Sequence, residues 1–320
     1  MNHVEKQVKP LCVLGEALMD CVAQAGGDLR PLRGGSPYNM ARAGALAGAQ
    51  VHYLNPLSTD LFGQDLGQQL RADGVHVAGG QSACPTSLAV VQLQDGQPHY
   101  GFYREGIADR DWQPEAVIER LRALPPGVLH TGSLMLIPPD DAAVMTVLMA
   151  ARAMGWTLCV DINLRTKVAR DQGAYLQAVR RVMAEADWLK ASDEDLQALG
   201  LKATEAAHAQ ALLAQVQAMA PRASRLALTF GAQGAALWVE GQLAVQAGER
   251  VAVQDTVGAG DTFWGHTVAD WLAHPDSAAA RVAQTLRQAS MAAAINCTRS
   301  GCQPPDAQEV LRALGQVTTQ

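Results

Sequence analysis

Short apolar segments alternate with longer segments of helical periodicity along most of the chain, and this alternation constrains the fold more than any other feature. Six apolar runs are candidate strands: Leu11–Leu14, Val51–Leu54, Val128–His130, Thr157–Val160, Trp188–Lys190 and Leu226–Thr229. The segments with helical spacing are Met40–Ala49, Leu61–Arg71, Ala142–Met154, Tyr175–Ala184 and Glu205–Met219. Because repeated βα units produce parallel strands with helices on both faces, the pattern predicts an α/β fold with a mainly parallel central sheet.

Two segments interrupt the alternation with short β-prone runs around glycine-containing turns. They cover approximately residues 21–33 and 87–104, and the second contains Asp95-Gly96, a strong hairpin signal. A hairpin inserted into an α/β chain is expected outside the main sheet, either as a lid over a site or as a plain edge hairpin. We therefore expect residues 1–320 to form a single α/β domain that carries a small discontinuous β lid.

Composition and charge exclude several classes of protein. The net charge of −6 argues against nucleic acid as the partner, since that role requires a basic face. No apolar run approaches the length of about 20 residues that crosses a membrane, and the N-terminus does not resemble a secretory signal. The six cysteines form no C-x-x-C pair, which fits reduced thiols in a cytoplasmic protein and argues against a zinc site. A nucleotide ligand stays open, because a phosphate site is a local arrangement.

The most informative segment is Asp255–Phe263, which reads DTVGAGDTF. Apolar residues recur at helical spacing after it, so a helix is expected to begin at or near Gly258. The small residues 258–260 leave the first N–H groups of that helix accessible, and these groups together with the helix dipole form an anion site. A carboxylate repels phosphate, so Asp261 is either a base for an incoming hydroxyl or a cap of the helix.

Two other motifs overlap this segment and fail on chemistry. A dinucleotide fingerprint would begin at Gly258, but its sixth position is Phe263. A P-loop would begin at Gly260, but His266 replaces the lysine that this motif needs.

The whole of Asp255–Phe263 resembles the C-terminal signature D-T-x-G-A-G-D-x-F of the ribokinase-like (PfkB) family of sugar and nucleoside kinases. The resemblance implies a ribokinase-like fold, with Asp261 as catalytic base and with Gly258, Ala259 and Gly260 as the anion hole for the transferring phosphoryl group. It also implies ATP and Mg²⁺ as cofactors. A monovalent cation such as K⁺ occurs widely in this family near the anion hole, where its ligands would be backbone carbonyls.

Other segments resemble the sugar-binding side of the family. Gly34 to Asn39 (GGSPYN) is similar to its N-terminal signature, and Gly15 to Asp20 is similar to its first strand, which ends in an Asp that binds sugar hydroxyls. Phe102 to Asp109 (FYREGIAD) and Asp161 to Arg165 (DINLR) resemble segments of fructokinases. The implied sugar-binding residues are Asp20, Gly34, Gly35, Asn39, Tyr103, Arg104 and Asn163. Asn55 stands where the family usually has glycine.

The resemblance also implies which residues bind the nucleotide. Ser192 and Asp195 replace the N-x-x-E pair of the family, so we expect no direct metal ligand and at most a water-mediated contact from Asp195. Lys190 lies either near the nucleotide phosphates or at the surface as a strand-end lysine. Thr229, Gly231 and Gly234 match a turn that lines the nucleotide pocket, and Arg165 could neutralise charge in the transition state.

The resemblance predicts ATP-dependent phosphorylation of a sugar primary hydroxyl, with fructose as the first candidate. The alternative acceptors are 2-keto-3-deoxygluconate, aminoimidazole riboside and ribose. A non-catalytic sugar-sensing protein of the same fold is the rival from another class, but its expected mark is the loss of Asp261 or of the glycines, and both are present. The exposed strand edges of a lid are compatible with a homodimer formed through it.

Overall fold

A computed structural model describes residues 9–24, 26–94, 97–202, 206–275 and 277–317 of the chain. Its strands, in chain order, are β1 (Leu11–Val13), β2 (Leu18–Ala23), β3 (Leu29–Gly34), β4 (Val51–Tyr53), β5 (Leu57–Ser58), β6 (His76–Val77), β7 (Gln81–Ser82), β8 (Ser87–Gln94), β9 (Gln97–Tyr103), β10 (Val128–Gly132), β11 (Thr157–Asp161), β12 (Trp188–Ser192), β13 (Arg225–Thr229), β14 (Ala235–Val239) and β15 (Gln242–Gln246).

The helices of the described residues lie between the strands along the chain and, in its C-terminal part, after the last strand. They are α1 (Ser36–Leu46), α2 (Leu61–Ala72), α3 (Pro114–Arg122), α4 (Asp140–Ala153), α5 (Gln172–Glu185), α6 (Asp193–Ala198), α7 (Ala209–Met219), α8 (Ala259–Ala273), α9 (Ala279–Cys297) and α10 (Ala307–Val317). No helix in these ranges is both long and apolar enough to cross a membrane.

The central sheet has the strand order β15-β14-β13-β12-β11-β10-β1-β4-β6. The neighbouring strands from β13 to β6 in this order all pair in parallel, and only the pairs β13–β14 and β14–β15 at one end of the sheet are antiparallel. The prediction of an α/β fold with a mainly parallel central sheet is therefore confirmed. All the parallel strands end at the same edge, which is where ligands bind in folds of this kind.

Alternate residues of the central strands pack into two separate apolar layers. On β11, Leu158 and Val160 belong to one layer, while Cys159 between them belongs to the other. All three side chains are fully buried. Helices on both faces bury the sheet, which explains why these strands are continuous apolar runs without polar alternation.

A second, four-stranded sheet has the order β3-β2-β8-β9. It contains the segments predicted as a lid, and strands β8 and β9 pair antiparallel around Asp95-Gly96, which lies outside the described residues. The sheet begins earlier than expected, at Leu18. The segment from Gly15 to Asp20, which resembles the first strand of the family, does not end a strand at Asp20: β1 ends at Val13, and Asp20 lies within β2 of the smaller sheet.

Helices α1 and α8 approach each other closely in front of the sheet. A Cβ atom on Gly265 would lie 2.6 Å from Cβ of Ala43 and 2.8 Å from the carbonyl oxygen of Met40. Only glycine allows this distance between the two helix backbones. The close packing brings the first turns of α1 and α8 to one place at the edge of the sheet.

Candidate active site

The carboxylate of Asp261 is fixed by two side chains from the first turn of α1. The hydroxyl of Ser36 donates to Oδ1 of Asp261 at 2.8 Å, and Nδ2 of Asn39 donates to Oδ2 at 3.0 Å. All three residues are buried. Ser36 and Asn39 are three positions apart and therefore lie on the same face of the helix.

The electrostatic surroundings of Asp261 act in opposite directions. Burial raises the pKa of the Asp261 carboxyl, while the hydrogen bonds from Asn39 and Ser36 and the charges of Lys190 and Arg165 lower it. Hydrogen bonds to a carboxylate stabilise its charged form, whereas desolvation favours the neutral form. Asp261 is thus a buried carboxylate with an elevated pKa and a fixed orientation, properties that suit a proton acceptor.

The helix that carries Asp261 begins at a strained turn. Gly258 precedes α8 with a φ of 74°, and a Cβ atom there would lie 2.2 Å from Sγ of Cys302. Both the left-handed backbone and the contact with Cys302 require glycine. Within the described residues no side chain caps this helix, so no side chain takes up the N–H groups of its first turn. The N–H of Ala259 also reaches the carbonyl oxygen of Thr256, at 3.2 Å.

The residues before this turn are held against the segment that follows α9. Nδ2 of Asn296 donates to the carbonyl oxygen of Val257, and Oδ1 of Asn296 accepts from the backbone N–H of Gln303, each at 2.8 Å. Oδ2 of Asp255 accepts from the N–H of Gly301, also at 2.8 Å. Asn296 is fully buried. These bonds fix the position of Gly258 and of the N–H groups that follow it.

Lys190 lies behind the anion site in a buried ion pair. Its Nζ donates to both carboxylate oxygens of Asp161, at 2.8 and 2.9 Å, and the two side chains are 4% and 2% exposed. A Cβ atom built on Gly260 would lie 3.4 Å from Nζ of Lys190. The alternative that Lys190 is a surface residue is wrong, because β12 runs through the middle of the sheet. Its contact with nucleotide phosphates stays a prediction.

Ser192 and Asp195 form a reciprocal cap at the start of α6. Oγ of Ser192 accepts from the N–H of Asp195 at 3.1 Å, and Oδ2 of Asp195 accepts from the N–H of Ser192 at 2.8 Å. Oδ1 of Asp195 accepts from the N–H of Leu164 at 2.7 Å. Both carboxylate oxygens of Asp195 thus accept hydrogen bonds from backbone N–H groups. Direct ligation of a metal ion therefore does not fit this residue. Among the described residues, no group of three or more His, Cys, Asp or Glu side chains is placed to hold a metal ion.

The predicted nucleotide turn lies beside this cap. Thr229 at the end of β13 is in register with Ser192 at the end of β12. Gly231 and Gly234 lie in the short connection from β13 to the antiparallel strand β14, both with positive φ. The structure therefore brings Ser192, Thr229 and the two glycines to one end of the sheet.

On the sugar side, β2 and β3 bring Asp20 against the glycine pair. A Cβ atom on Gly34 would lie 2.1 Å from Oδ2 of Asp20, and one on Gly35 would lie 2.5 Å from the carbonyl oxygen of Glu16. Burial raises the pKa of Asp20 to about 6, and the charge of Arg165 opposes this shift. Gly34 leaves the space that Asp20 occupies next to the start of α1, and Gly35 allows the backbone of Glu16 to approach.

The remaining predicted residues differ in their exposure. Tyr103 at the end of β9 is 65% exposed, whereas the adjacent Arg104 is only 9% exposed. Asn163 has a φ of 38°, and Arg165 is exposed with its N–H donating to the hydroxyl oxygen of Tyr175 at 3.1 Å. Asn tolerates this left-handed conformation better than most residues. Among these residues, Arg165 contributes its charge to the Asp261 environment.

Sequence reasoning missed several residues that hold the site together. Ser36 was predicted only as part of a signature, although its i, i+3 relation to Asn39 places both on one helix face. Oε1 of Glu16 accepts from the N–H of Ser36 at 3.3 Å. Asn55, at a position where glycine is usual, accepts from the N–H of Gly15 at 2.5 Å and donates to the carbonyl oxygen of Asp109 at 2.8 Å. No local pattern indicates these contacts, since the partners are up to 54 residues apart.

Together these groups can perform one kind of chemistry. The carboxylate of Asp261 can accept a proton from a hydroxyl, while the adjacent amides of α8 bind a group whose negative charge increases during reaction. Neither function needs a covalent intermediate. The arrangement fits transfer of an anionic group to an alcohol.

Comparisons with known proteins also indicate a kinase. The model of the pfkB family carbohydrate kinases matches residues 8–309. Fructokinase-2 of Solanum lycopersicum is 31% identical over an alignment of 320 residues, which covers 94% of this chain and 94% of that protein. A fructokinase of Rhizobium leguminosarum bv. trifolii is 30% identical over 263 residues, 78% of this chain and 76% of that protein.

Solved structures extend the likeness to the fold. The crystal structure of a fructokinase with bound ATP from Xylella fastidiosa has a TM-score of 0.83 and 26% identity, covering 97% of this chain and 99% of that chain. A putative Ribokinase II from E. coli has a TM-score of 0.81 at 20% identity, covering 96% and 99%, which shows the shared fold. The ribokinase-like fold is confirmed, and this chain belongs to the pfkB family of carbohydrate kinases.

Proposed function

We propose that the protein phosphorylates fructose with ATP at a primary hydroxyl, with Asp261 as the catalytic base. The chain is an ATP-dependent sugar kinase of its family, and its fructokinase relatives support fructose as the acceptor. The observation that carries the proposal is the fixed carboxylate of Asp261 beside the first turn of α8. A sugar-sensing protein without catalysis would have no need to keep this pair of groups.

The proposed reaction follows from the positions of these groups. The sugar hydroxyl lies against Asp261, which accepts its proton as the oxygen attacks the γ-phosphorus. The charge on the equatorial oxygens is stabilised by the N–H groups of Gly258, Ala259 and Gly260, and Arg165 adds a positive charge from the exposed side. Asp20, Gly34, Gly35, Asn39, Tyr103, Arg104 and Asn163 are the proposed sugar-binding residues.

The proposed nucleotide site lies at the ends of β12 and β13. Ser192, Thr229, Gly231 and Gly234 are the residues proposed to bind it, with Lys190 supporting the phosphate region from behind the anion hole. Mg²⁺ would be held by the phosphates of ATP and by water, with Asp195 acting at most through water; when bound, it neutralises phosphate charge. A monovalent cation such as K⁺ near the anion hole remains part of the proposal.

Two further parts of the proposal concern the whole protein. We place it in the cytoplasm, where reduced thiols fit its six free cysteines. We also propose a homodimer formed through the four-stranded sheet, whose outer strands β3 and β9 have free edges within the described residues.

The function is tested by an ADP-release assay with a panel of acceptors. The panel contains fructose, 2-keto-3-deoxygluconate, aminoimidazole riboside and ribose, with Mg²⁺ present and with K⁺ present or absent. We expect the highest kcat/KM with fructose. If fructose is inert while another sugar reacts, the acceptor assignment fails and the kinase assignment stands; if no acceptor reacts, both fail.

A further inference from the structure

A buried arginine on α1 contacts the chain behind the anion hole. Arg42 is only 5% exposed, and its Nη1 donates to the carbonyl oxygen of Cys302 at 3.0 Å. Its Nε donates at 2.5 Å to Oδ2 of Asp73, the residue that caps the end of α2. Its Cζ lies 5.7 Å from the ring centroid of Tyr38. Because the planar guanidinium carries five N–H donors, one arginine can bond the carboxylate and the carbonyl together.

The contacted residue belongs to residues 301–303, which we call the back segment. The back segment packs directly against the start of the anion hole, since a Cβ atom on Gly258 would lie 2.2 Å from Sγ and 3.4 Å from Cα of Cys302. The turn before Gly258 and helix α9 each accept one N–H group of the back segment. The bond from Arg42 holds the same segment from the side of α1. A displacement of Arg42 therefore reaches Gly258 through Cys302.

Arg42 lies on the same helix as the two side chains that hold the proposed base. Ser36 and Asn39 bond to the carboxylate of Asp261, and Arg42 follows Asn39 by three positions, one turn further along α1. Helix α1 thus holds Asp261 directly and Gly258 through the back segment. Because closely packed elements transmit small displacements to one another, this helix sets the position of the anion hole relative to the base.

We propose that Arg42 is a positioning residue of the anion hole, which acts through the carbonyl of Cys302 and fixes Gly258 at its working distance from Asp261. This inference rests on the proposed function, since that function assigns the N–H groups after Gly258 to the transferring phosphoryl group. Such donors stabilise the charge that develops in the transition state only at hydrogen-bond distance from its oxygens. A small displacement of Gly258 therefore costs more in the transition state than in the bound ground state.

The first test compares Arg42→Met and Arg42→Lys with the matched control Asp73→Asn. Methionine removes both bonds, while lysine keeps a cation for Asp73 but lacks the planar group that bonds carboxylate and carbonyl together. The control breaks the same ion pair from its other end and leaves the bond to Cys302. With the acceptor that the wild type uses best, we expect kcat to fall by about 10- to 100-fold in both Arg42 variants, with each KM changed by less than about threefold. The control should lower the thermal midpoint and keep kcat.

The second test separates positioning from a general loss of stability. Aluminium fluoride together with ADP and Mg²⁺ imitates the transferring phosphoryl group, and calorimetry measures its binding to the protein in the presence of the acceptor. We expect both Arg42 variants to bind ADP–aluminium fluoride about 10-fold or more weakly than the wild type, and to bind ADP alone with unchanged affinity. A variant that is only less stable keeps both affinities at temperatures where it is folded.

The outcomes separate this inference from the proposed function. Wild-type kcat and wild-type binding of ADP–aluminium fluoride in folded Arg42→Met overturn the inference, and so does an equal loss of kcat in Asp73→Asn; the kinase assignment survives both. If Arg42→Met does not fold, Arg42→Lys, which keeps a cation beside Asp73, decides by the same criteria. A wild-type protein that neither phosphorylates an acceptor of the panel nor binds ADP–aluminium fluoride overturns the inference and the proposed function together.

Discussion

The hydroxyl of Ser36 donates a hydrogen bond to Oδ1 of Asp261 at 2.8 Å and joins two residues that are 225 positions apart. Together with the bond from Asn39, it ties the first turn of α1 to the first turn of α8. The sugar-side signature and the phosphate-side signature of the sequence are therefore parts of one site. This contact orients the proposed base and tunes its pKa.

Replacement of Asn39 by Ala is expected to move the acidic limb of the pH–rate profile. The amide of Asn39 lowers the pKa of Asp261 against the effect of burial, so its removal raises that pKa. Because the base must be deprotonated, activity is lost as the pH falls through the pKa of Asp261, and the limb shifts to higher pH. The measurement is kcat against pH, with Thr298→Ala as control; an unmoved limb would contradict the role of Asn39.

Replacement of Gly258 by Ala is expected to impair the anion hole through a defined clash. The new Cβ would lie 2.2 Å from Sγ of Cys302, and the left-handed backbone costs a further ~1–2 kcal/mol. We expect kcat to fall, and Cys302→Ala to restore part of it when combined with Gly258→Ala. Cys302→Ala alone should keep kcat, and a double variant no better than Gly258→Ala would show that the clash is unimportant.

Replacement of Lys190 by Met is expected to destabilise the fold. It leaves the carboxylate of Asp161 buried without its cation, a change that costs about 3–5 kcal/mol. The combination with Asp161→Val removes both charges and should recover most of that loss. Urea unfolding measures the free energy of unfolding of each variant. If Lys190→Met lowers it by less than ~1 kcal/mol, the ion pair of Lys190 and Asp161 does not stabilise the fold as described.

The pH dependence of stability is expected to report on Asp109. Burial raises the pKa of Asp109 from 3.8 to about 7, so the folded state keeps the proton at a pH where the unfolded state has released it. Its contribution to stability is complete below pH about 4 and is lost as the pH rises through about 7. The difference in unfolding free energy between the wild type and Asp109→Asn should follow this course in urea titrations. A pH-independent difference would show that the pKa of Asp109 is not elevated.

The fold could be predicted because the apolar runs of the central strands are long enough to mark both faces as buried. The predicted ends of helices and strands were less accurate where polar residues of the site take the place of apolar ones. Helix α1 begins at Ser36 rather than Met40, since its first turn presents polar side chains to Asp261. The strand β12 continues to Ser192, two residues beyond the apolar run, where polar residues reach the edge of the sheet.

The individual site residues were predictable only where a motif carried them. Asp261 and the glycines before it form a continuous segment, so an anion site and an adjacent base could be inferred from the sequence alone. The ion pair of Lys190 with Asp161 and the contact of Glu16 with Ser36 depend on register between distant strands and helices. Such contacts leave no periodic signal in the sequence. Only the structure shows that these side chains are buried and which partners they contact.

The most direct test of the account is the turnover of Asp261→Asn. Asn keeps the size of the side chain and removes the proton acceptor, so kcat for fructose phosphorylation should fall by about 10²–10⁴-fold with little change in the KM for ATP. The exposed variant Asp28→Asn serves as control, and thermal midpoints establish that both variants are folded. Near-normal kcat in folded Asp261→Asn would contradict its role as the base.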